Sequence, residues 1–205
     1  MGITAAICSA EAVGANYFEP CRRQDQGYEE HVERRFREAW PNPIETLIIQ
    51  FGGGLRTEAA VGLSYDDSGF SLVRLEFDRS FFYGSRVDRY GTRRYDFSQP
   101  QVRVATMSVP VSSQLATAFD SAISRTEAAD ESEESRIVLD GSHHEIVTVD
   151  SACVVLRNPP KESPAGRLVE LFEYLDGVMK FWRPNLAETL ETEILTRIAE
   201  VWTSE

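Results

Sequence analysis

Lysine is nearly absent from this chain of 205 residues: of its 21 basic residues only Lys161 and Lys180 are lysines, and the other 19 are arginines. Acids outnumber bases 33 to 21, which sets the formal net charge at −12. That balance excludes the basic footprint that nucleic acids and anionic membrane surfaces demand. The arginine bias itself fits the codon preference of a GC-rich genome and marks no site. Long apolar runs are missing as well. No stretch approaches the ~20 residues a membrane-crossing helix needs, so no span is expected.

Catalytic signatures are absent too. There is no G-x-S-x-G elbow and no Ser-x-x-Lys, and neither metal nor cofactor is expected. The three histidines are His31, His143 and His144. His31 has no HExxH spacing around it. His143 and His144 are adjacent with Glu145 beside them, but on a strand successive side chains point to opposite faces, so the two imidazoles cannot share one ion, and a solvated turn is expected there. Gly52-Gly-Gly54 follows a strand but precedes another, whereas a phosphate cradle needs a helix N-terminus aimed at the anion. A thiol nucleophile would need an activated cysteine beside a base. Cys153 lies in the apolar run Ala152-Cys-Val-Val-Leu156, which raises a thiol pKa and argues against pairing it with His144.

Cysteine is scarce, at three residues, and an odd count is awkward for an exported protein. The first fifteen residues bear on this. Ile3–Ile7 is apolar, and Ala12-Val-Gly-Ala15 resembles a signal peptidase site, although no Lys or Arg precedes Arg22. Residues 1–15 are therefore expected to be a truncated export signal, the alternative being a short N-terminal helix. Cleavage after Ala15 removes Cys8 and leaves the even pair Cys21 and Cys153, expected to form a disulfide. Otherwise Cys153 is a buried free thiol behaving as a small apolar residue.

Periodicity supplies the rest of the architecture. Tyr28, Val32, Phe36 and Trp40 recur every four residues as one helical stripe, and Asn42-Pro43 ends it. Thr46–Phe51 reads as a strand. Ala59–Tyr65 and Phe70–Phe77 flank Asp66-Asp-Ser-Gly69 and predict a hairpin. In its second strand the apolar face changes from Phe70 and Leu72 to Val73, Leu75 and Phe77, which predicts a bulge. Gln101–Val109 is a further strand closed by Pro110. Ser112 or Ser113 then caps a helix carrying Leu115, Phe119, Ala122 and Ile123.

The acidic stretch 127–134 reads as a solvated loop, with a seam at 126–135 inside a single domain over 16–205. Arg136–Leu139, His144–Val149 and Ala152–Leu156 predict a meander. Ser163-Pro164 then starts a helix with one apolar face through Leu168, Leu171, Phe172, Leu175 and Met179. Pro184 stops it, and Asn185 with Glu188 predicts the cap of a last helix bearing Leu190, Ile194, Ile198 and Val201. The expected fold is α+β, an antiparallel sheet made of a hairpin and a C-terminal meander packed against amphipathic helices.

One segment gathers interface chemistry. Phe81–Phe97 contains Arg86, Arg89, Tyr90, Arg93, Arg94 and Tyr95. Arginine and tyrosine are enriched at protein interfaces, where each joins an apolar body to polar reach. These six residues are the expected partner-binding set. The alternative is an edge hairpin with aromatics packed inward and arginines paired to acids.

Leu139-Asp-Gly141, a strand pair, Asn158-Pro-Pro160 and Ser163-Pro-Ala-Gly-Arg-Leu168-Val-Glu-Leu171 resemble a module of small exported bacterial proteins of unknown function. Some of those related-looking chains are immunity proteins that neutralise a toxin. The resemblance spans residues 136–182, under a quarter of the chain, and carries over no catalytic residue. Leu156 or Arg157 stands where that module would have tryptophan. What it implies is a binding protein of the periplasm or cell exterior with a protein partner such as a toxin. The other classes left open are a hydrolase with an unrecognised carboxylate or histidine site and a cytosolic interaction domain.

Overall fold

The computed structural model describes residues 18–21, 27–51, 57–81, 85–91, 93–94, 102–127, 143–149, 153–157, 159–181 and 187–203. Its elements are Phe18–Pro20 (β1), Tyr28–Ala39 (α1), Ile44–Gln50 (β2), Ala59–Asp66 (β3), Gly69–Phe77 (β4), Arg86–Val87 (β5) and Arg93–Arg94 (β6). Val102–Val111 (β7), Ser113–Glu127 (α2), His143–Thr148 (β8), Cys153–Arg157 (β9), Pro164–Lys180 (α3) and Ala187–Val201 (α4) follow. Seven strands form one antiparallel sheet in the order β1-β9-β8-β2-β3-β4-β7, and β5 pairs with β6 apart from it. The architecture is α+β with helices on both faces of the sheet.

Strand alternation explains the layering. On β2, Leu47 and Ile49 face α1 while Ile48 faces the opposite way. The α1 stripe Tyr28, Val32 and Phe36 packs on Leu47, Ile49, Val73, Leu75 and Phe77. On the other face Ile48, Val61, Leu63, Leu72 and Ile146 meet Leu115, Phe119, Leu168, Phe172, Ile194 and Ile198 from α2, α3 and α4. Burying apolar area on both faces, at roughly 25 cal/mol per Å², is the main term that holds the three layers together. Central strands buried on both sides read as continuous apolar runs, which is why Ile44–Ile49 shows little alternation.

A register shift between Ile44 and Thr46 puts Ile44 on the α1 side with Leu47. Gly62 lies opposite this irregularity. A Cβ at position 62 would come within 2.8 Å of Thr46 O and of Ile44 Cγ2, so the close approach of β2 and β3 requires glycine there.

Two expectations are modified. The β4 strand carries no bulge toward β3, with which it pairs in unbroken register from Asp66↔Gly69 to Ala59↔Glu76. The register shift falls between β4 and β7 at Val73/Leu75. The apolar face changes because Arg74 and Glu76 occupy the helix-facing positions, as described below. Pro110 does not close β7 but pairs with Ser71 inside it. This is tolerated because β7 is an edge strand, where a missing N–H need not break a ladder. The C-terminal strands belong to the same sheet as the hairpin, as expected, since β8 pairs with β2 as well as with β9.

The serine caps behave as the sequence suggests. Leu115 N–H donates to Ser112 Oγ at 3.2 Å and Gly166 N–H to Ser163 Oγ at 3.0 Å. Residues 1–15, the Gly52–Gly54 run, most of the 126–135 seam, the Arg136–Leu139 strand and the Asn185 cap lie outside the described residues. No described helix is long and apolar enough to cross a membrane.

Candidate functional site

The Arg/Tyr segment folds as a two-stranded ribbon in which Arg86 pairs with Arg94 and Val87 with Arg93. Asp88 organises its turn: Oδ1 accepts the Tyr90 N–H at 2.9 Å, Oδ2 accepts Arg94 Nε at 3.2 Å, and the backbone carbonyl accepts the Gly91 N–H at 3.0 Å. Gly91 has φ +80°, a conformation that glycine adopts without penalty. Tyr90 is 77% exposed and Val87 58%, with the Arg89 guanidinium 4.7 Å from the centre of the Tyr90 ring. Arg86 and Arg89 are exposed, and so is Arg94 despite its pairing. Thus Arg86, Arg89, Tyr90 and Arg94 come together on one outward feature. Arg93 is placed on β6 by its backbone alone, and Tyr95 lies outside the described residues. Sequence reasoning missed Asp88, although an aspartate two residues before an N–H it can accept is a recognisable Asx-turn signal.

A second constellation sits at the α1-facing edge of the sheet. Cys21 and Cys153 are bonded, with Cα atoms 5.4 Å apart, and the Cys21 N–H donates to Cys153 O at 3.3 Å. The bridge lies where the three-residue strand β1 joins β9. His143 and His144 do not sit in the solvated turn expected of them: they open β8, which pairs with β2 and β9 on either side, and so they point to opposite faces. His144 packs edge-on against Phe172 at 5.1 Å on the helix side, whereas His143 stacks on Phe51 at 4.8 Å on the α1 side. Cys153 and His144 are therefore not brought together.

The pairing that sequence reasoning passed over is His143 with Glu145, two residues apart and so on one face. His143 Nε2 is 3.8 Å from Glu145 Oε1, and Glu145 Oε2 is 3.8 Å from Cys153 Sγ. Glu29 reaches in from the first turn of α1, and donor atoms of Glu29, His143 and Glu145 lie within 4.8 Å of one another. These are the described side chains that could hold a divalent cation. The neighbouring set Cys21, Glu145 and Cys153 lacks the thiolates a metal needs, because its sulfurs are bonded to each other. Burial, and then the charge of Arg157 across the β8–β9 ladder, push the His143 pKa down to about 4. The imidazole is neutral at pH 7.

Next to this edge, a cavity of about 860 Å³ is lined by His31, Arg34, Arg37 and the disulfide. Arg37 fastens α1 to the sheet there, donating to the carbonyls of Ile44 at 2.6 Å and Thr148 at 3.2 Å.

The third place is on the helix side, where one cross-strand row runs Leu156–His144–Gln50–Ala59–Glu76. Arg74, with a side chain 2% exposed, donates to Asp176 of α3 at 2.6 Å and to Glu76 at 2.9 Å. Lys180 donates to the other Asp176 oxygen at 2.8 Å, and Thr57 to Glu76 at 3.1 Å. Thr57, Glu76, Asp176 and Lys180, with Gln50, Ala59, Phe172 and Glu173, border a cavity of about 520 Å³. Nothing in the linear pattern distinguished Gln50 or Arg74, since the strands they sit on read as apolar.

No family model, curated protein or solved structure matches this chain.

Proposed function

We propose that this chain is a non-enzymatic binding protein that works in an oxidising compartment outside the cytoplasm and engages a protein partner. An immunity protein seated on a toxin is the form of this reading suggested by the resemblance of residues 136–182. The observation that carries it is Tyr90, 77% exposed on a ribbon whose turn Asp88 already holds in place. A large aromatic fixed in solvent before binding loses little freedom when covered, and Arg89 above its ring adds a charged donor beside it. The chain as a whole is acidic, with a formal net charge of −12, so a partner meets a basic ribbon on a negatively charged protein. The Cys21–Cys153 bridge supports the compartment, because such bonds persist where thiols are not kept reduced.

The hydrolase reading has less behind it. The cavity beside α3 holds convergent carboxylates, but Glu76 and Asp176 are engaged by Arg74, Lys180 and Thr57. That arrangement suits holding a ligand better than moving a proton.

The test is capture of partners from the envelope fraction of the native host, with wild-type protein and with Arg89→Ala/Tyr90→Ala. Loss of two central anchors should weaken the complex by about 30-fold or more. Identical capture by both proteins removes the ribbon as the interface. Free thiols at Cys21 and Cys153 in protein isolated from that host remove the compartment.

A further inference from the structure

We infer that the cavity bordered by Gln50, Ala59, Glu76 and Asp176 is a binding site for a small neutral polyhydroxylated molecule, a sugar or polyol. The inference rests on residues outside the ribbon and does not depend on the proposed partner.

Gln50 is the reason to expect a ligand at all. It is 5% exposed at the end of β2, and its Nε2 has no hydrogen-bond partner among the described residues. Burying an amide donor with nothing to accept from it costs free energy, and native proteins rarely leave one so. The charged groups beside it are engaged with one another: Arg74 with Asp176 and Glu76, Lys180 with Asp176, and Thr57 donates to Glu76. The demand this leaves at the cavity is an acceptor for Gln50 Nε2.

The space is built by the register of the sheet. Ala59 lies between Gln50 and Glu76 in the cross-strand row, and its single methyl leaves room that a larger side chain would fill. The resulting cavity, about 520 Å³, falls in the usual range for small-ligand sites of roughly 300–1,000 Å³. One or two sugar rings fit that volume. A lone water uses little of it.

Charge narrows the class. Lys180 is the one cation among the lining residues, against Glu76, Glu173 and Asp176, and Arg74, which is not part of the lining, pairs with both Glu76 and Asp176. An anionic ligand meets three carboxylates, and a polycation meets the Lys180 ammonium and two carboxylates, Glu76 and Asp176, that Arg74 already pairs. A hydroxyl both accepts and donates, so one such group can accept from Gln50 Nε2 while donating to a carboxylate of Glu76 or Asp176. Each carboxylate oxygen keeps lone-pair capacity after its present bond. Phe172 adds an apolar patch suited to the C–H face of a sugar ring.

The experiment follows the side-chain amide signals of Gln50 in the full-length ¹⁵N-labelled protein, identified by their absence in Gln50→Leu. D-glucose and N-acetyl-D-glucosamine are titrated first, then citrate and spermidine. At least one sugar should shift the Gln50 signals saturably, and Gln50→Leu and Ala59→Val should each weaken its binding about tenfold. If neither sugar moves the Gln50 signals, or if citrate or spermidine moves them in place of the sugars, the inference is overturned. Should Gln50→Leu fail to fold, the wild-type titration and Ala59→Val decide the matter, the Gln50 signals then being assigned by through-bond experiments.

Discussion

Arg74 Nε donates to Asp176 Oδ1 at 2.6 Å, so a guanidinium buried under the helix layer is neutralised by a carboxylate 102 residues further along the chain. The pair joins β4 to α3 and sets the base of the polar cavity. It also breaks the apolar alternation of β4. A strand that would otherwise present only leucine and phenylalanine to the helices instead presents a charge that must be answered from outside the sheet.

Removing one member of that pair should cost more than removing both. Asp176→Ala leaves Arg74 buried with only Glu76 to pair it, at an expected loss of about 3 kcal/mol in unfolding free energy. Arg74→Met with Asp176→Leu removes both charges and should cost less than the single change. Urea unfolding of the three proteins checks this. A double variant weaker than Asp176→Ala would mean that the ion pair contributes net stability.

The disulfide should matter in proportion to how little else holds β1. Only three residue pairs join β1 to β9, while the bridge closes 132 residues. In the chain-entropy view a loop of that length is worth roughly 4–5 kcal/mol, with measured values often smaller. Cys21→Ser/Cys153→Ser should lower the melting temperature, and reductant should lower that of the wild type but not of the double variant. Equal melting temperatures with and without reductant would show that the bond contributes nothing to stability.

His143 predicts the acid side of the stability curve. Its native pKa is lowered to about 4, whereas an unfolded histidine has the ordinary value of 6.5. Between those values the unfolded chain binds a proton that the native state refuses, so stability is lost as pH falls from about 6.5 to about 4 and levels off below. A shift of this size is worth roughly 3 kcal/mol. Denaturant midpoints of wild type and His143→Asn, compared from pH 7 to pH 4, should converge toward low pH as the wild type loses this contribution. A titration of the His143 ring with a midpoint near 6.5 would contradict the buried neutral state.

How far the chain could be read in advance depended on the range of the interaction. Tyr28, Val32 and Phe36 announce α1 by spacing alone, and Asp66-Asp-Ser-Gly69 announces the β3–β4 hairpin, because both are local. Ser112 and Ser163 mark helix starts for the same reason. The pairing of Cys21 with Cys153 followed from parity, a count and not a geometry. Asp88 was legible but overlooked, its Asx-turn hidden among more conspicuous arginines and tyrosines. By contrast the face change at Val73 was visible, yet its cause was not. A bulge and a buried arginine leave the same trace in the pattern until Asp176 is known to lie opposite.

By itself the sequence determined the amphipathic helices, the central strands, the α+β class and the acidic balance of the chain outside the arginine-rich segment. Each follows from backbone periodicity or from composition, which need no knowledge of distant neighbours. Only the tertiary structure decided that Gln50 stands between His144 and Ala59, that Ala59 opens a space before Glu76, and that Glu29 joins His143 and Glu145. Strand register sets all three. Register is fixed by the simultaneous burial of both faces of the sheet against four helices, a balance summed over the whole chain and written in no local stretch of it.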